Sequence, residues 1–383
     1  MSVTTEARRR IAFVCSRFGG GGAEKHLLRI LNAADHRRYD VHLILTRDGG
    51  NYEQFLRDDI TVHHLSRGIG SSTLALALGY GKLSGLVAKI TPDLVVSFMD
   101  RQNVMVARAL GNGKIPFVLC CQNMPSKSLA DGGWMGRWHL RQLAKLYPRC
   151  ARLICISRGV QRDVRRLTGM PDHKTPVVYN AGYDEAIHTL QFEGEEQPKN
   201  TNFRMVACGR LTTQKGFDLL LRALAQVPGI TEMRLDILGT GPDEDALKEL
   251  RDDLGLSQVV NFLGFQSNPY PFFRRADLFV LSSRWEGFGN VITEAMACGT
   301  PVLSTNCPAG PDEIITHGHS GWLVETENVA AIAEGIRTLA SDPELRAKLG
   351  RNGSVRSADF SPATISRQYF DQFDQIISGE QGS

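Results

Sequence analysis

Two glutamates, Glu286 and Glu294, bracket a glycine-hinged segment, Glu286-Gly287-Phe288-Gly289-Asn290, and they are the residues of this chain best placed to do chemistry. Paired carboxylates of this kind suit neutral polyols, because each oxygen accepts from a vicinal hydroxyl, as an acidic residue does for the ribose of a bound nucleotide. One carboxylate for a ribose and one for a sugar fits the spacing. A plainer reading also stands on the pair alone: acids near a helix N-terminus favour the macrodipole whatever else they do.

The neighbouring elements decide where these groups sit. Asp277-Leu278-Phe279-Val280-Leu281 reads as a buried parallel strand and Pro301-Val302-Leu303-Ser304 as the next one, so Asn290–Cys298 is the crossover helix, stopped by Gly299 and Pro301. In such a sheet ligands bind beyond the carboxyl ends of the strands, where helix N-termini present free N–H groups. Glu286 then lies in the loop, while Asn290 and Glu294, four apart, share a helix face. Gly287, Phe288 and Gly289 complete the donor-side loop.

Three other strand-to-helix loops carry candidate groups. Met205–Cys208 runs into Gly209-Arg210-Leu211-Thr212-Thr213-Gln214-Lys215-Gly216, whose two cations complement a diphosphate, Arg210 as a fork and Lys215 as a point charge. Gly239-Thr240-Gly241-Pro242 ends the following strand. Near the N-terminus, Gly19-Gly20-Gly21-Gly22-Ala23-Glu24 follows a strand and opens a helix, so Gly20, Gly21 and Gly22 can approach an anionic or sugar ligand closely. A nicotinamide-dinucleotide fingerprint starting at Gly19 fails, because Glu24 stands where a small residue is needed. Asp243-Glu244-Asp245 reads as a charged first helical turn, so no metal site is assigned.

The chain of 383 residues is long enough for two domains, with 42% apolar and 22% charged residues. Its net charge of +3 hides an asymmetry: residues 1–180 carry 27 Lys and Arg against 13 Asp and Glu, and the remainder is strongly acidic. No apolar run reaches transmembrane length, and no secretory leader is legible. The eight cysteines lack metal or disulfide spacing and read as reduced core residues of a cytoplasmic protein.

Apolar strands alternate with helical segments. The first half has them at Ile11–Ser16, Val41–Leu45, Leu94–Phe98, Phe117–Cys121, Leu153–Ile156 and Thr175–Tyr179. The second half has them at Met205–Cys208, Met233–Leu238, Val259–Phe262, Leu278–Leu281 and Val302–Ser304. This is an α/β chain of two Rossmann-like, doubly wound parallel-sheet domains, predicted to face each other across a cleft, with Asp184–Asn202 as the linker. The stretch 134–152 interleaves Trp134 and Trp138 with Arg137, Arg141, Lys145, Arg149 and Arg152, a pattern that suits an anionic membrane surface or an ordinary helix with a solvated face. No nucleic-acid recognition motif accompanies the charge.

With these motifs assembled, the chain resembles the retaining glycosyltransferases of family 4, with the GT-B fold, along nearly its whole length. The likeness rests on Gly21-Gly22-Ala23-Glu24, Ser97-Phe98, Tyr179-Asn180, Gly209-Arg210-Leu211 with Lys215-Gly216, Gly264-Phe265, and the two glutamates with seven residues between them. Phe265–Pro271 and Cys307–Ile314 resemble the subgroup that builds bacterial surface polysaccharides and lipid-linked oligosaccharides.

The resemblance implies an acceptor-side domain over 1–185, to which a terminal helix at 360–377 returns, and a nucleotide-sugar-binding domain over 200–358. It implies that Arg210 and Lys215 hold the donor diphosphate, Glu294 the ribose and Glu286 the transferred sugar, with UDP favoured over GDP. The acceptor is then a glycan or lipid-linked hydroxyl, and no metal or other cofactor is required; the expected location is the cytoplasm, with peripheral attachment to the inner face of the cell membrane resting on the stretch 134–152 alone. Two departures stand out: Gly289 replaces a common proline, and Cys121-Gln122-Asn123 replaces a common histidine, leaving Asn123 as the acceptor-side assignment. A nucleotide-sugar epimerase, a glycan phosphorylase and a non-enzymatic membrane-associated partner are the alternatives.

Overall fold

The computed structural model describes residues 7–19, 21–47, 49–65, 72–129, 132–183, 185–194 and 203–379, with the backbone alone for 72–80. The chain forms two compact units, residues 1–181 with 362–383, and residues 182–361. In the first unit, β1 (Arg9–Cys15), β2 (Tyr39–Leu45), β3 (Thr61–His64), β4 (Leu94–Phe98), β5 (Phe117–Cys121) and β6 (Arg152–Cys155) form one parallel sheet in the order β3-β2-β1-β4-β5-β6. In the second unit, β7 (Phe203–Cys208), β8 (Met233–Leu238), β9 (Val260–Phe262), β10 (Leu278–Leu281), β11 (Val302–Thr305) and β12 (Trp322–Val324) form another, ordered β12-β11-β10-β7-β8-β9. Every pairing in both sheets is parallel.

The central strands are apolar runs because helices cover both faces of a parallel sheet. Ile11, Phe13 and Cys15 of β1 enter a core that also takes Phe98, Ile365, Tyr369, Phe370 and Phe373. The last four belong to the terminal helix Pro362–Ile377, which is therefore part of the first unit's core. Arg152 fastens the same helix, donating to Gln372 Oε1 (2.6 Å) and Gln375 Oε1 (2.7 Å). The second core gathers Met205 and Ala207 of β7, Leu278 and Val280 of β10, and the helix residues Leu220, Leu221, Ile336 and Leu339.

The structure corrects the strand assignment at three places. β3 and β12 are edge strands, one carrying two histidines and the other only three residues long, so neither shows a long apolar run. Thr175–Tyr179 is not a strand: Cys155 pairs with Val177 in a single bridge, and Pro176, with no N–H, only accepts from Cys155 N (2.9 Å). Among the described residues no helix is long and apolar enough to cross a membrane. All eight cysteines are free thiols, and six of them are buried.

Candidate active site

The order of the second sheet puts β7 and β10 side by side at the point where the connections diverge. β7 leads through helix Phe217–Leu224 to β8 on one side, and β10 leads through helix Asn290–Ala297 to β11 on the other. Such a switch point opens a crevice beyond the strand ends, and the loops after β7 and β10 line it. Lys215 from the first loop donates from Nζ to Glu286 Oε1 of the second at 2.7 Å, with side chains 18% and 7% exposed. Ser283 Oγ donates to the same Glu286 oxygen at 2.6 Å, and Thr305 Oγ1 fixes Ser283 through its carbonyl (2.7 Å). Removing one partner of so buried a pair leaves an uncompensated charge, a loss of about 3–5 kcal/mol.

Lys215 reaches this place because its stem passes over Gly209, where an added Cβ would stand 3.3 Å from both Cδ and Cε. Arg210, next in the chain, is exposed. Burial, followed by the Glu286 charge, pushes the neighbouring Cys307 thiol up, so Cys307 is no nucleophile here.

The remaining donor-side residues divide by what their atoms face. Glu294 is 5% exposed on the helix Asn290–Ala297, and Asn290 is its first residue, half-buried. Gly289 caps that helix at φ 101°, a backbone that a proline, fixed near −65°, cannot adopt. Phe288 is 2% exposed; its ring packs edge-on against Phe360 at 5.4 Å, and its carbonyl lies so close to Gly310 that a Cβ there would stand 1.9 Å away. Gly239 and Gly241 serve close approach of two loops, since a Cβ on either would stand 2.0 Å from Gly209 O or 2.2 Å from Leu211 O. Asp243 precedes helix Glu244–Asp253 without a side-chain capping bond and accepts from Thr213 Oγ1 at 3.2 Å.

In the first unit the switch point lies between β1 and β4. Gly20 lies outside the described residues. The space beside its neighbours is filled by the protein: a Cβ on Gly19 would meet Asn51 N at 2.6 Å, and one on Gly21 would meet the Glu24 carboxylate at 2.0 Å. Gly22 begins the helix Gly22–Asn32, with Glu24 in its first turn. Asn123, at the end of β5, is half-buried and spends its Oδ1 on the N–H of Met124 (2.9 Å).

Residues not singled out from sequence complete both crevices. Ser283 was hidden because a serine beside a strand carries no signature. Asp100 was hidden because it reads as an ordinary first-turn acid; it follows Met99, which holds φ 75°, and accepts from Tyr147 Oη at 3.0 Å. The basic stretch is also redistributed. Helix Gly133–Leu146 exposes Trp134, Met135 and Trp138 with Arg137, Arg141 and Lys145, whereas Arg152 is buried against the terminal helix.

Comparison with known proteins agrees with this arrangement domain by domain. Residues 20–182 match Glycosyltransferase Family 4 and residues 190–356 match Glycosyl transferases group 1. An N-acetylgalactosamine-N,N'-diacetylbacillosaminyl-diphospho-undecaprenol 4-alpha-N-acetylgalactosaminyltransferase of Campylobacter jejuni is 29% identical over 359 residues, covering 91% of this chain and 95% of the relative. The lipopolysaccharide core biosynthesis glycosyltransferase LpsD of Rhizobium meliloti is 27% identical, covering 94% and 96%. The crystal structure of Anabaena HepE in complex with UDP and glucose superposes with a TM-score of 0.81 at 26% identity, over 96% of this chain and 100% of that one. WaaG, a glycosyltransferase involved in lipopolysaccharide biosynthesis, shares the fold with a TM-score of 0.72 at 17% identity. With both halves matched in order and relatives aligned nearly end to end, the chain belongs to the family 4 glycosyltransferases and is an enzyme of the GT-B fold.

Proposed function

We propose that the enzyme is a retaining glycosyltransferase that moves a hexosyl or N-acetylhexosaminyl unit from a UDP-sugar to a hydroxyl of a glycan or lipid-linked acceptor in cell-surface polysaccharide assembly. The observation that carries this reading is the Lys215–Glu286 contact at the switch point of the second sheet. The Lys215 ammonium has three donors, so one bond to Glu286 is compatible with another to a phosphate oxygen. Arg210 and Lys215 meet the diphosphate, Glu294 the ribose and Glu286 a hydroxyl of the transferred sugar, with Asn290 and the backbone of Gly287, Phe288 and Gly289 lining the donor. The bond from the anomeric carbon to the diphosphate breaks, the acceptor oxygen bonds to the same face, and the departing phosphate oxygen takes the acceptor proton. Cations already in place against the charge that develops on the diphosphate supply the main stabilisation, and no step is routed through a metal.

Full-length relatives named for undecaprenol-linked and lipopolysaccharide-core transfer support the choice of acceptor class, and HepE with UDP and glucose supports the donor. Helix Gly133–Leu146 suits an enzyme that meets a lipid-linked acceptor at the cytoplasmic membrane face: Trp134 is 72% exposed and Trp138 49%, among three exposed cations. The test is turnover of UDP-sugars with an undecaprenyl-linked saccharide in phosphatidylglycerol vesicles, with the product's anomeric configuration read by NMR. An α-linked product from an α-UDP-sugar is expected, and a β-linked one overturns retention. Conversion of the UDP-sugar without acceptor, or phosphate-dependent cleavage of a glycan, would instead mean an epimerase or a phosphorylase. Flotation with the vesicles should be lost in the Trp134→Ala/Trp138→Ala double variant; undiminished flotation removes the membrane role of this helix.

A further inference from the structure

The turn that carries Lys215 is fastened at three consecutive carbonyls. Thr213 O accepts from Arg284 Nη1 at 2.8 Å, Gln214 O from the Arg284 backbone N–H at 2.8 Å, and Lys215 O from Ser282 Oγ at 3.1 Å. Gln214 returns a bond from Nε2 to Trp285 O at 3.0 Å. All four fasteners join the turn to one short segment after β10, the segment that also carries Glu286. The approach is so close that a Cβ on Gly216, at φ 62°, would stand 2.2 Å from Ser282 O.

Arg284 is the centre of this arrangement. Its guanidinium grips Asp218 with both ends, Nη1 to Oδ1 at 2.8 Å and Nη2 to Oδ2 at 2.7 Å, and its Nε faces Glu327 Oε1 at 3.3 Å. Asp218 lies in the first turn of helix Phe217–Leu224, directly after the Lys215 turn. A lone ion pair near the surface contributes little stability, whereas a planar fork held on a carboxylate, with a further N–H bond to a main-chain carbonyl, fixes geometry. Only arginine has the donors to do all of this at once.

We propose that Arg284 is a positioning residue, holding the Thr213–Lys215 turn in register with Ser282–Glu286 so that Lys215 Nζ stands where the donor diphosphate binds. The inference rests on the reading that Lys215 meets that diphosphate. Arg284 need not touch the donor; it acts through Lys215.

A double-mutant cycle tests it, with UDP affinity measured by titration calorimetry on the full chain for wild type, Arg284→Lys, Lys215→Ala and the pair, alongside amide hydrogen exchange over residues 213–216. Arg284→Lys keeps the charge and loses the fork. It should weaken UDP by about tenfold in the wild-type background but less than about twofold once Lys215 is gone, since the effect passes through that side chain. Exchange at 213–216 should speed up while distant segments stay as protected as before. Equal losses in both backgrounds, or unchanged exchange, overturn the proposal. If Lys215→Ala leaves UDP affinity intact, the donor-site reading fails instead, and the exchange rates still decide whether Arg284 fixes the turn.

Discussion

The two sheets open crevices of the same topology and furnish them differently. Beyond β7 and β10, the buried carboxylate Glu286 has a cation, Lys215, and a hydroxyl, Ser283, on one oxygen. Beyond β4, Asp100 accepts from the Tyr147 hydroxyl at 3.0 Å and the Cys121 thiol at 3.9 Å, and the charge it feels is that of another acid, Asp163. Burial pushes the Asp100 carboxyl up to about 6, against those two hydrogen bonds. The turns differ as well: positive φ falls on Gly216 and Gly289 in the second crevice, but on Met99 in the first, where a non-glycine residue there costs about 1–3 kcal/mol. The charge in the second crevice is fixed and compensated, whereas the carboxyl in the first is marginal, and the proposed division into a donor-diphosphate side and an acceptor side rests on that difference.

That contrast can be broken at several strengths. Lys215→Ala and Glu286→Gln should each lower turnover by at least about 10²-fold, with circular dichroism unchanged, because the first removes a cation proposed to face the departing diphosphate and the second the carboxylate that places both Lys215 and the transferred sugar. Near-normal turnover in either would erase the distinction between the crevices. Gly216→Ala tests the close approach of the two loops: the added Cβ meets Ser282 O, and urea unfolding should show a loss of roughly 2–4 kcal/mol. A stable alanine variant would mean that the loops separate freely.

The smallest effect belongs to Asp100. Its folded pKa, about 6, lies above the ordinary value of 3.8, so folding favours the protonated form. The stability this contributes is complete below about pH 4 and is lost as pH rises through 6. Asp100→Asn should flatten unfolding free energy against pH across that window. An unchanged slope would show that Asp100 is as well solvated as any surface carboxylate.

Most of the central strands were legible because a strand buried on both faces has to be apolar, and β4, β5, β10 and the inner part of β1 are. Of the four edge strands, β6 and β9 were legible and β3 and β12 were not, since an edge can carry an apolar run but needs none. Lys215 and Glu286 were legible as residue types at strand ends, although their direct contact needed the sheet order, which no local pattern encodes. The inward packing of the Phe288 ring onto Phe360 was not legible, because residue type within a loop does not say which way a side chain turns. Arg284 and Asp218 stayed hidden because two charges 66 residues apart give no spacing to read.

The most direct test of the donor site is thermal stabilisation of the purified chain by UDP, GDP, ADP and NAD, with EDTA present, beside the Arg210→Ala variant. At a hundred times its dissociation constant a native-state ligand adds about 2.7 kcal/mol. Stabilisation by UDP above the others, lost in the variant, is the predicted result. No response to UDP or GDP, or an undiminished response in Arg210→Ala, would contradict a diphosphate held at the end of β7.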